Sequence, residues 1–156
     1  MKLVSVKYLL FTIVVCCIAL SAQATHLVGG SMSYQYIGRL GNGNFQYRVT
    51  LKVYRDCAAS TVQFDDEITV GAYNNTGSRS LVNAFKFSKL NEIPVDPPKG
   101  ADCPNPPNVC IREATYSRLI DLPSSNFGYH LIWQRCCRNT QNNIIDDMGQ
   151  TYYAFI

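Results

Sequence analysis

The sequence predicts an all-β chain, an antiparallel immunoglobulin-like β-sandwich of about seven strands, stabilised by disulfides. Three observations carry that expectation. Short stretches of alternating apolar and polar residues recur between Gly, Pro and Asn punctuation. The 156 residues include ten Tyr and seven Phe, ring types that suit a half-buried pleated surface. An export signal at the N-terminus directs the chain to an oxidising compartment, where cysteines pair.

That signal occupies residues 1–24. Lys2 and Lys7 form a basic start, an apolar run from Tyr8 to Leu20 follows, and Ser21-Ala22-Gln23-Ala24 supplies the small residues of a cleavage site. Cleavage between Ala24 and Thr25 leaves residues 25–156 as one β-sandwich domain. The apolar run is shorter than the ~20 residues a membrane-spanning helix needs. Removing Lys2 and Lys7 from the 14 basic residues leaves 12 against 11 acidic ones, a net charge of +1. With no cluster of Lys or Arg to follow a phosphate backbone, nucleic acid is not an expected partner.

The strands are justified in order. Leu27 to Ile37 alternates weakly around Gly29-Gly30, and Gly38 to Gly43 supplies a turn. Phe45 to Tyr54 is the clearest strand: Tyr47, Val49, Leu51 and Val53 share one face, and Arg48, Thr50 and Lys52 the other. Phe64 to Ala72 follows, closed by Asn74-Asn75-Thr76-Gly77, which also holds an N-glycosylation sequon. Leu81 to Phe87 reads better as strand than as helix. Between Asn91 and Cys110 stand six of the seven prolines, so this segment is expected to be a loop or an edge excursion. Ala114 to Leu122, Phe127 to Arg138 and Thr151 to Ile156 complete the set. The last runs to Ile156 without a turn, as a boundary to further sequence would.

Cys16 and Cys17 leave with the signal, and five cysteines of the seven remain. Cys103 and Cys110 bracket a proline-stiffened loop that a bridge between them would pin. Cys57 follows Val49, Leu51 and Val53 in phase, and Cys137 shares a face with Leu131 and Trp133. A Cys57–Cys137 bridge beside Trp133 would staple the sandwich, leaving Cys136 over or making it the alternative partner of Cys57. The cysteine spacings do not match a zinc site, so no metal is expected there.

No catalytic residues are expected either. His26 and His130 are far apart, and no local signature places a nucleophile beside a base. Asp65-Asp66-Glu67 and Asp146-Asp147 are oxygen-rich, but they lack calcium-loop spacing and read as solvated acidic pairs. Most aromatics fall at alternating strand positions, where they fill a core. A row of exposed tyrosines would instead form a platform for sugar rings. No cofactor is called for.

Three segments carry a resemblance: Thr25-His-Leu-Val-Gly-Gly30 leading into Tyr34-Gln-Tyr-Ile37; Tyr47-Arg-Val-Thr-Leu-Lys-Val-Tyr-Arg-Asp-Cys57; and Gly128-Tyr-His-Leu-Ile-Trp-Gln-Arg-Cys-Cys-Arg-Asn139. With Pro106-Pro-Asn-Val-Cys110 and Thr151-Tyr-Tyr-Ala-Phe155, these make the chain resemble the N-terminal region of large exported surface proteins of Bacteroidota. Such proteins often continue into PKD or immunoglobulin-like repeats and end in a gliding-motility-associated, type IX secretion sorting domain. The resemblance implies a non-catalytic structural or adhesive module, secreted or held on the outer-membrane exterior. Its implied partners are further domains of the same chain and cell-surface proteins or polysaccharide. The alternative expectation is a glycan-binding module attached to a polysaccharide-degrading system.

Overall fold

The computed structural model describes residues 27–58, 62–95, 110–136 and 149–156. The expected cleavage residues Ala24 and Thr25, and with them Cys103 and Cys137, lie outside these residues. Seven strands are described: β1 (Leu27–Arg39), β2 (Phe45–Asp56), β3 (Glu67–Asn74), β4 (Leu81–Val95), β5 (Ile111–Leu122), β6 (Tyr129–Arg135) and β7 (Gln150–Phe155). They form one antiparallel sheet in the order β1-β2-β5-β4-β3-β6-β7, curled until it is nearly a barrel.

Alternation builds the interior. Val49, Leu51 and Val53 of β2, Ala114, Tyr116, Ile120 and Leu122 of β5, and Ile68, Val70 and Ala72 of β3 all point inward. Phe85 and Phe87 of β4 meet Leu131 and Trp133 of β6 and Tyr152 and Ala154 of β7 in the same core. The β1–β2 hairpin closes through hydrogen bonds from Leu40 to the Asn44 carbonyl (2.8 Å) and from Gly43 to the Leu40 carbonyl (2.9 Å). Gly43 has φ +88°, a left-handed conformation that a glycine adopts without strain.

β4 is longer than the sequence pattern indicates. Its first part pairs with β3, from Leu81 opposite Tyr73 to Ser88 opposite Glu67. Its second part pairs with β5 from Lys89 opposite Tyr116 to Val95 opposite Ile111, with a register shift between Lys89 and Asn91. Pro94 therefore stands in the edge part of a strand, the second of the two alternatives expected for this segment, and not in a loop. In that part β4 has a strand neighbour on one side only, so the N–H that proline lacks need not serve a ladder.

The disulfide corrects both expected pairings. Cys57 is bonded to Cys110, with Cα atoms 5.1 Å apart, and neither Cys103 nor Cys137 is its partner or that of Cys110. The reason is register. β2 and β5 are neighbours with Asp56 opposite Ile111, so Cys57 and Cys110 occupy the next rung, where the Cys57 N–H also donates to the Cys110 carbonyl (2.8 Å). β6, which leads to Cys137, lies between β3 and β7 and has no edge against β2. Trp133 stacks on Tyr152 instead, ring centroids 5.2 Å apart.

Candidate binding surface

The two ends of the curled sheet differ in chemistry. At the end where β2 finishes, charged groups interlock. Arg55 is 3% exposed; its Nη1 donates to the Val62 carbonyl (2.6 Å), and its guanidinium lies 5.2 Å from the Phe64 ring centroid. Glu92 accepts from Arg112 Nε (2.6 Å) and also faces Lys89 Nζ (3.5 Å) and Arg55 Nη2 (3.6 Å). Burial pushes the Glu92 carboxyl pKa up, but the Arg112 hydrogen bond and the charges of Arg112, Lys89 and Arg55 hold it below the ordinary value. Arg135 grips Asp65 with both terminal nitrogens (2.5 and 3.3 Å), and the Tyr116 hydroxyl donates to the Asp65 carbonyl (2.6 Å). Burial pushes the Tyr116 phenol far above its usual range.

These contacts account for the acidic run. Asp65 meets Arg135, Asp66 meets Lys89 (3.2 Å), and Glu67 meets Lys86 (2.8 Å). Among the described residues no three His, Cys, Asp or Glu side chains come together as a metal site would need. The end is a charged clasp joining β2, β4, β5, β6 and the segment before β3.

The opposite end is aromatic. Tyr34 and Tyr36 of β1 stand on the same face as Val49 and Tyr47 of β2, because Tyr34 pairs with Val49 and Tyr36 with Tyr47. They project past the packed interior, 45% and 53% exposed. Tyr47 is edge-on to Tyr34 (centroids 6.1 Å) and tilted against Tyr36 (5.6 Å), while Phe45 sits 6.0 Å from Tyr36. Arg39 lies 5.8 Å above the Phe45 ring. Burial, reinforced by the neighbouring Tyr36 and Tyr34 hydroxyls, raises the Tyr47 phenol pKa. A bulge between Tyr36 and Gly38 adds Ile37 as an extra residue at the rim, the kind of irregularity that re-aims side chains beside sites. Four rings and one guanidinium thus make a ledge that offers apolar ring faces together with hydroxyl donors and acceptors.

A second exposed group lies on the outer face of β6 and β7. His130 bonds Tyr153 Oη through Nδ1 (2.9 Å) and Asn75 Oδ1 through Nε2 (2.8 Å), and its ring packs against Phe155 (5.2 Å). Both imidazole nitrogens are engaged, which ties the β3–β4 turn to β7.

Sequence reasoning placed the tyrosines correctly on strands but did not separate those in the core from those on the ledge. Tyr116, Tyr129, Trp133 and Tyr152 are buried, Tyr47 is half-buried, and Tyr34, Tyr36 and Tyr153 are exposed. Cys136 stands exposed directly after the end of β6. No family model, no curated protein and no solved structure matches this chain.

Proposed function

We propose that this chain is a non-catalytic structural or adhesive module of an exported bacterial cell-surface protein, and that the aromatic ledge is its contact surface. The observation that carries the reading is the pair Tyr34 and Tyr36, exposed beside Tyr47 and Phe45 at the end opposite the charged clasp. Tyrosine supplies large contact area with little conformational freedom to lose, which suits a recognition surface. The disulfide rung and the clasp suit a module that must keep its shape outside the cell. The resemblance to the N-terminal regions of Bacteroidota surface proteins adds the expected setting: a longer chain, gliding motility and type IX export.

The fold fits an immunoglobulin-like sandwich in one respect. β4 pairs with β3 as far as Ser88 and with β5 from Lys89 onward, the kind of partner change by which a strand passes from one sheet of a sandwich to the other. A glycan-binding module of a polysaccharide-degrading system is the second reading, favoured by the same exposed tyrosines. Binding of the oxidised chain and of a Tyr34→Ala/Tyr36→Ala variant to intact source cells and to a polysaccharide array tests both. Cell binding lost in the variant supports adhesion, and array binding lost in the variant supports the glycan reading. Binding to neither, or equal binding by the variant, refutes the ledge.

A further inference from the structure

Among the described residues, β1 is an edge strand without the usual protection. From Leu27 through Gly38 it contains no charged residue and no proline. Sheet edges present a row of backbone donors and acceptors that invites another strand, and charges or prolines normally discourage it. Every pairing in the sheet is antiparallel, so its two outer strands, β1 and β7, run parallel and do not join in an antiparallel ladder. β7 flanks only the start of β1: Gln150 Nε2 donates to the Leu27 carbonyl (2.9 Å), and Tyr152 abuts Gly30. Further along, Ser33, Tyr34, Gln35, Tyr36 and Ile37 are all exposed.

We propose that this edge pairs with β1 of a second copy of the chain, antiparallel about a two-fold axis through Gln35. Two identical strands can meet this way only if no like charges face each other, and this stretch carries none. The symmetric register is also self-complementary. Tyr34 of each copy faces Tyr36 of the other on the ledge side, an aromatic cross-strand pair made twice. Gln35 faces Gln35 on the opposite side, where the two amides can exchange hydrogen bonds. Arg39 falls opposite Ser31 and meets no cation. The two ledges become one continuous aromatic surface. The pairing does not depend on what that surface binds.

Sedimentation velocity on the oxidised chain over a range of concentrations tests it. The expected result is a reversible dimer. Gln35→Lys and Gln35→Glu, at an exposed position, should each weaken it by about fivefold. Mixing the two variants should restore it, because opposite charges then meet on the axis. Hydrogen exchange on the unaltered chain should show protection at Ser33–Ile37 rising with concentration. A monomer throughout, no restoration on mixing, or protection independent of concentration would overturn the proposal.

Discussion

At the scale of single residues, Arg55 and Gly30 are the most constrained positions. Arg55 is a charge in the interior, tolerated because Val62, Glu92 and Phe64 surround its guanidinium. Arg55→Ala removes both the charge and the packed stem and leaves a void over Phe64. It should lower stability by about 3 kcal/mol in chemical denaturation, with Arg55→Lys recovering only part of it. Gly30 is where β1 presses closest to its surroundings. A Cβ there would run into the Lys52 carbonyl and the Tyr152 ring. Gly30→Ala should cost about 2 kcal/mol, since a backbone carbonyl cannot rotate away. A melting temperature unchanged by Gly30→Ala would show that Gly30 does not approach the Lys52 carbonyl of β2 and the Tyr152 ring of β7 as described.

At the scale of elements, the β2–β5 ladder organises the part of the sheet that bears the ledge, and two features of it are testable. The Cys57–Cys110 rung should appear as a cross-linked pair of peptides in a non-reducing digest, and Cys57→Ser should cost about 2–4 kcal/mol. Recovery of Cys103 linked to Cys110 would contradict the register. The carboxylates bound to these strands give a pH dependence. Glu113 is held below its ordinary value by the hydrogen bond from Lys52, against the opposing effect of burial, and Glu92 is held low by its three cations. A depressed folded pKa contributes stability that is complete above the ordinary value of 4.5 and is lost as pH falls below it. The melting temperature should therefore drop on acidification below that point, and Glu92→Gln should flatten the drop. The strands themselves were legible because alternation is local: Val49, Leu51 and Val53 declare their face without reference to any other strand. Which strands are neighbours was not, since the Asp56–Ile111 pairing spans a proline-rich stretch that carries no register information. The disulfide expectation failed for that reason. Pro94 was legible only as far as a choice between loop and edge, because a proline is excluded from a central strand but not from one with an open side.

At the scale of the whole molecule, the two ends of the curled sheet differ in kind. Interlocked charges and a disulfide fix one end, and the other offers rings to solvent. The sequence contained every residue of both ends but not their separation. Arg55, Glu92 and Arg135 are scattered across β2, β4 and β6, and Tyr34 and Tyr129 are both strand tyrosines, one exposed and the other buried. The claim that the ledge is the contact surface is tested most directly by an NMR titration. Backbone and tyrosine-ring signals of the oxidised chain would be followed as polysaccharides from the array are added. Shifts should concentrate at Tyr34, Tyr36, Phe45 and Tyr47, with Arg55, Glu92 and Asp65 unmoved. Shifts centred on the charged end or on His130 and Tyr153, or none with any polysaccharide or with isolated cell-surface material, would contradict it.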